Sequence, residues 1–100
     1  MIKHIVAWKL KDEAQGNSRE ANAAIIKEKL EALVGKIPGL LKAKVFKTLD
    51  GCKDYDYTLI SELESEEALA GYQEHPLHKE VSAFVKNVRE SRASIDYEDR

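Results

Sequence analysis

Ile2-Lys3-His4-Ile5-Val6-Ala7-Trp8-Lys9-Leu10 alternates without a break. Ile2, His4, Val6, Trp8 and Leu10 point one way, and Lys3, Ile5, Ala7 and Lys9 point the other. A period of two sustained over this stretch is a β-strand, with one strongly apolar face. Lys11 to Gly16 then reads as a polar loop.

Beyond the loop the period changes. Asn17 is suited to cap a helix, with Glu20 in the capping-box position. Ile25, Ile26, Leu30, Leu33, Val34 and Ile37 follow helical spacing, and Lys27, Glu28, Lys29 and Glu31 form the wet face. Gly35 and Pro38-Gly39 end this helix. Leu40 to Leu49 is a second strand, whose Lys42, Lys44 and Lys47 suit a sheet edge. Asp50-Gly51 marks a turn, in a loop extending to Asp54. Tyr57, Leu59, Ser61 and Leu63 alternate with Asp56, Thr58, Ile60 and Glu62 in a third strand, antiparallel to the second.

Ser65 caps the next helix, with Glu66 and Glu67 where the dipole favours acids. Ala68, Leu69 and Tyr72 form its inner side. Pro76 biases His75 away from helical geometry, so the helix stops near Glu74. Pro76 then suits the first position of a new helix, whose Leu77, Val81, Phe84, Val85 and Val88 face inward. Ala93, Ile95 and Tyr97 mark a last strand, with Arg92, Ser94 and Asp96 opposite.

The order is β-α-β-β-α-β with a broken second helical segment. It predicts an α+β, ferredoxin-like sandwich, a four-stranded antiparallel sheet with helices on one face, as a single domain over residues 1–100. The helix-facing side is expected to carry Ile2, Val6, Trp8, Val45, Tyr57, Leu59, Ala93 and Ile95. The other face offers Ile5, Ala7, Phe46 and Ile60 among Lys3, Lys44, Thr58, Glu62 and Ser94. That mixture suits a homodimer packed sheet against sheet through the helix-free face. A half-wet open face is the alternative.

Hydrophobic residues make up 43% and charged residues 34% of the 100, which fits a globular domain rather than a disordered chain. A net charge of −2 provides no field for nucleic acid or an anionic membrane. No apolar run has the length of a membrane span, and no apolar signal core follows Met-Ile-Lys-His. Cys52 is the sole cysteine, which predicts a reducing, cytoplasmic setting.

All three histidines fall in two stretches, Lys3-His4-Ile5-Val6 and Tyr72-Gln73-Glu74-His75-Pro76-Leu77-His78. His4 sits on the apolar side of its strand, where a histidine is more often a hydrogen-bonded core residue than a catalyst. His75 falls near a helix cap and His78 in the first turn. There the positive end of the dipole disfavours imidazolium, and a neutral imidazole suits a general base. Capping and decorating a helix start is the plainer use of both. The Tyr72 hydroxyl suits donation to a developing oxyanion, or equally a core position. Zinc needs three or four converging protein ligands, and the proline between His75 and His78 works against convergence, so no metal site is predicted. No phosphate loop or nucleotide fingerprint is present.

Several motifs together resemble one family. They are Lys3-His4-Ile5-Val6, Trp8-Lys9-Leu10-Lys11-Asp12, Ile37-Pro38-Gly39, Asp56-Tyr57-Thr58-Leu59, Glu64 to Leu69, Tyr72 to His78, and Ile95-Asp96-Tyr97. The chain resembles the stress-responsive dimeric α/β-barrel (Dabb) domain proteins along nearly its whole length. The resemblance implies a homodimer whose two sheets meet as a barrel with helices outside, and a role in stress response. It also implies a pocket for a small hydrophobic or carbonyl ligand. A plant polyketide cyclase of this kind performs an aldol condensation without metal or organic cofactor. By that resemblance His78 is the general base, Tyr72 polarises the carbonyl and His4 binds a substrate oxygen. His75, Trp8 and Leu30 are candidate ligand contacts. Leu30 falls where the cyclase has a further tyrosine, so the cyclase's own substrate does not carry over. Two readings follow: a ligand-binding stress protein with structural pocket histidines, and a cofactor-independent lyase or cyclase.

Overall fold

The alternation at the start of the chain becomes β1 (Ile2–Leu10), in which every second residue from Ile2 is buried. The computed structural model describes residues 1–100. After β1 come a small hairpin of β2 (Glu13–Ala14) and β3 (Asn17–Ser18), then α1 (Arg19–Glu31), β4 (Leu40–Lys47) and β5 (Tyr57–Leu63). The chain ends with α2 (Glu66–Glu74), α3 (Pro76–Val88) and β6 (Arg89–Glu98).

The main sheet runs β4-β5-β1-β6, antiparallel throughout, and the fold is ferredoxin-like. The lysine-bearing strand β4 does lie at an edge. The core forms where the helices cover one face. It joins Val6, Trp8 and Leu10 of β1 to Leu59 and Leu63 of β5, Ile26 and Leu30 of α1, and Val81, Val85 and Val88 of α3. Glu31 ties α1 to the sheet edge: its carboxylate accepts from Lys27 Nζ (2.7 Å) and from the Val45 amide (3.0 Å). Burial pushes its pKa up, but these two hydrogen bonds together with the charges of Lys27 and Lys44 hold the carboxyl below its ordinary value.

The two helix starts around Pro76 match the sequence reading. Ser65 caps α2, and Pro76 opens α3. Gly39 is obligatory for two reasons. Its φ is +82°, and a Cβ there would meet the Ala68 Cβ at 2.5 Å.

Four details differ from the sequence reading. The loop after β1 contains the β2–β3 hairpin, whose Gln15 and Gly16 both have positive φ, as a two-residue turn of this kind demands. The cap of α1 is Ser18, whose side chain accepts from the Ala21 amide, while Asn17 bonds to Asn22 instead. The α-helix stops at Glu31, and the chain to Ile37 continues in turns that keep Leu33 and Ile37 buried while Val34 stays exposed. The last difference matters most. In β6 the register pairs Ile95 with Ile5 and Ala93 with Ala7, so both lie on the helix-free face. Arg92, Ser94 and Asp96 pair with Trp8, Val6 and His4 and face the helices. A strand's two faces exchange with a shift of one residue, and pairing to β1 overrides the apolar-inward rule here.

Candidate functional site

Antiparallel register sets a polar row across three strands on the helix side. Ser61 of β5 and Asp96 of β6 flank His4 of β1. His4 is only 3% exposed, and its Nδ1 lies 2.5 Å from Asp96 Oδ1. A ring nitrogen that close to a carboxylate oxygen carries the proton, which leaves Nε2 on the opposite side of the ring free to meet a ligand.

The break at Pro76 supplies the other half of the site. Tyr72, in the last turn of α2, is completely buried, and His78 enters from the first turn of α3. The Tyr72 and His78 rings are tilted against each other with centroids 4.2 Å apart. The Tyr72 ring also meets His4 edge-on at 6.0 Å. Residues from opposite ends of the sequence are thus packed into one aromatic and polar cluster. Tyr72 Oη, His78 Nδ1 and Ser61 Oγ are buried with no hydrogen-bond partner. In native proteins such atoms are matched by an ordered water, an ion or a ligand where the protein itself supplies no partner.

A cavity of about 210 Å³ adjoins the cluster. His4, Val6, Trp8 and Leu59 of the sheet form its floor, with His78 and Leu30 on its walls. It is smaller than the ~300–1,000 Å³ of pockets for drug-sized ligands, so it suits a compact molecule. Tyr72 lies one layer behind this wall, against both histidine rings rather than on the cavity surface.

Burial raises the Tyr72 hydroxyl to about 12, opposed in part by the nearby Arg92 charge. It therefore stays protonated and acts as a donor. Burial lowers the His78 pKa. The Gln73 backbone opposes the shift, while the charges of His4, Arg92 and His75 reinforce it. His78 is thus neutral near pH 7 and able to accept a proton.

Among the candidates from sequence, His4, His78, Trp8 and Leu30 reach the cavity. His75 does not. Its Nδ1 accepts from the Leu77 amide at 3.1 Å as the cap of α3, and its ring faces a separate groove beside Pro38 and Glu64. The extended geometry that Pro76 imposes on His75 aims it at the helix start, not at the sheet. No group of three or more His, Cys, Asp and Glu side chains converges in a way that could hold a metal. Asp96, Ser61 and Arg92 are site residues that sequence reasoning missed. The signal for Asp96 and Arg92 was the polar set of β6, which the alternation had assigned to the wrong face.

The profile of the stress responsive A/B barrel domain family (Dabb) matches residues 2–99. No curated protein sequence matches the chain. Among solved structures, a Bacteroides fragilis protein described as dimeric, ferredoxin-like and of unknown function is 31% identical; the match covers 98% of this chain and 95% of that one, with a TM-score of 0.85. An Arabidopsis thaliana protein is 24% identical, with 100% and 96% covered and a TM-score of 0.84. A hydroxynitrile lyase from Passiflora edulis is 17% identical, with 96% and 90% covered and a TM-score of 0.80. The last two likenesses are likenesses of fold.

Proposed function

The chain belongs to the stress responsive A/B barrel domain family, and from that footing we propose that its helix–sheet cavity binds a small carbonyl compound and moves a proton beside the carbonyl, without metal or organic cofactor. In this reading His78 takes the proton from the α-carbon. The C–H electron pair becomes the enolate, whose charge settles on oxygen. The Tyr72 hydroxyl donates to that oxygen once the histidine rings part around the ligand, and the unprotonated Nε2 of His4 accepts from a hydroxyl of the ligand. Return of the proton from His78 to carbon gives exchange without net change; attack of the enolate carbon on a second carbonyl forms the C–C bond of a cyclase-type step, and the proton held by His78 passes to the alkoxide that results. Trp8 and Leu30 hold the apolar body of the ligand.

One observation carries the proposal: His4, Tyr72 and His78 pack together beside a cavity while Tyr72 Oη is buried without a partner. A purely structural cluster gains most by satisfying its own buried polar atoms. The competing reading, in which the trio only fills the core, draws on Tyr72's complete burial behind the wall.

The same proposal includes a homodimer through the helix-free sheet face. The register there lines up Ile60, Ile5 and Ile95 in one row, and Thr58, Ala7 and Ala93 in the next with Phe46 beside them. Ile95 is 61% exposed and Phe46 52% on the single chain, an apolar band that a second copy would cover. The Bacteroides fragilis neighbour is described as dimeric. No helix is long and apolar enough to cross a membrane. The exposed lone Cys52 suits a reducing compartment, so we extend the proposal to a cytoplasmic protein of stress response.

The test is hydrogen–deuterium exchange at the α-carbon of small ketones such as cyclohexanone and acetophenone, followed by NMR. Wild-type protein should accelerate exchange. His78→Gln should lose roughly 10²–10⁴-fold of that acceleration while remaining folded. A variant that keeps the rate, or wild-type protein that accelerates none of the ketones, overturns the acid–base reading.

A further inference from the structure

The mouth of the cavity is basic. Lys86, Arg89 and Arg92 line it, and no acidic residue does. The chain as a whole is acidic, with 18 Asp and Glu against 16 Lys and Arg, so composition does not supply this cluster by default. None of the three cations takes part in an ion pair. Arg92 makes only a long contact from Nη1 to Ser94 Oγ, at 3.5 Å.

Helix electrostatics explains Lys86, which sits in the last turn of α3 where a cation is favoured. It does not explain Arg92. That residue lies in β6, paired with Trp8, on the face of the sheet that meets the helices. The position is exposed, so burial does not dictate the residue there. Arg92 projects to the cavity, close enough for its charge to act on both Tyr72 and His78.

The cavity therefore has three zones. Its mouth carries three unpaired cations, its middle is lined by apolar residues such as Trp8, Leu30 and Val85, and its inner end carries the histidines. Resting on the reading of this cavity as a binding site, we propose that its ligand is a small oxo-acid whose carboxylate is held by Arg89 and Arg92, with Lys86 beside them, while its carbonyl end reaches His78. A planar carboxylate matches the guanidinium fork in two hydrogen bonds, and a cavity of about 210 Å³ holds a compact oxo-acid better than a bulkier anion.

The probes are benzoate, benzamide and phenyl phosphate, titrated into the full chain at pH 7 and followed by NMR at the Trp8 indole and the His78 ring. Benzoate should bind roughly tenfold or more tightly than the neutral amide of the same shape. The preference should shrink as salt is raised. Arg92→Gln and Arg89→Gln should each remove most of it, and Arg92→Lys should keep part of it, with circular dichroism confirming the fold of each variant. Equal affinity for benzoate and benzamide overturns the carboxylate assignment while leaving the cavity as a binding site. Tighter binding of phenyl phosphate than of benzoate overturns it too. If all three probes leave Trp8 and His78 unmoved, the carboxylate assignment and the binding-site reading fall together.

Discussion

Two rows of side chains lie one residue apart across β5, β1 and β6. Ile60, Ile5 and Ile95 face away from the helices; Ser61, His4 and Asp96 face toward them. In an ordinary two-layer sandwich the apolar row would be inside. Here Ile95 is 61% exposed, whereas Ser61 is completely buried and His4 nearly so. Ile95 outside, and His4 and Ser61 inside, are each in the costlier place for an isolated chain. In the proposed dimer the outward row would be covered by another apolar surface. The inward row has its own internal bond between His4 and Asp96, and the proposed ligand would meet the rest. The contrast teaches that each face of this sheet looks for something the single chain does not supply.

The sharpest way to break the outward half is Ile95→Asp. Ile95 is exposed on the single chain, so the fold should survive the change. Burying one isoleucine stabilises by about 1.5–3 kcal/mol, and the two-fold axis counts it twice, so a dimer should lose about 3–6 kcal/mol. That is more than a hundredfold in Kd. Light scattering at micromolar concentration should report a monomer. A dimer of unchanged affinity would mean that the isoleucine row is not the interface.

These two rows also separate what the sequence made legible from what it hid. The order of elements, the proline break and the cap at Ser65 could be read because each depends on local chemistry. Pro76 restricts His75 wherever the chain goes, and a serine before acids caps a helix whatever packs on it. The faces of β1 were readable because Val6, Trp8 and Leu10 outweigh Ile5 and Ala7. In β6 the same rule failed, for it asks only which alternate set is more apolar. Ala93, Ile95 and Tyr97 are the more apolar set, yet they face outward. The phase of that strand is set by pairing with β1, a contact between the two ends of the chain that no local window contains. The site followed the same division. His4 and His78 stood out as rare residues in distinct motifs, whereas Asp96 and Arg92 could not be recognised until the phase of β6 was known.

Asp96→Asn probes the inward row. It replaces the carboxylate beside His4 Nδ1 with an amide and removes the charge-assisted bond. Asp96 is 41% exposed, so water screens much of its worth, and the stability cost should be about 1 kcal/mol. Ketone exchange should fall well beyond what that cost implies, because His4 loses its orientation. The dimer should be unaffected. A variant that dissociates instead would show that the two rows are not independent.

Acid should distinguish the rows by a smaller effect. Burial, reinforced by His4, Arg92 and His75, holds the folded His78 below its ordinary value, while the unfolded chain titrates near about 6.5. Below that pH the unfolded state binds a proton that the folded state resists. The His78 contribution is therefore constant above about 6.5, and stability is lost as pH falls from there through the folded value. Between pH 7.5 and 5.5 the Tm of wild type should fall more steeply than that of His78→Gln, in which this linkage is absent. Parallel curves would remove His78 from the account. Ile95→Asp should retain the wild-type steepness, because no histidine lies on the outward row.

Tyr72→Phe should have the smallest effect on stability and separates the two readings of the inward cluster. The Tyr72 hydroxyl is buried without a partner, so deleting it removes a desolvated group and keeps the ring against His4 and His78. The Tm should stay level or rise, by no more than about 1 kcal/mol of added stability. Because burial holds this hydroxyl protonated up to about 12, it can serve a developing oxyanion only as a donor, and phenylalanine cannot replace it. Exchange on ketones should therefore drop while stability does not. If the Tm falls and exchange is unchanged, the hydroxyl belongs to the architecture of the fold, and the proton chemistry rests on the two histidines alone.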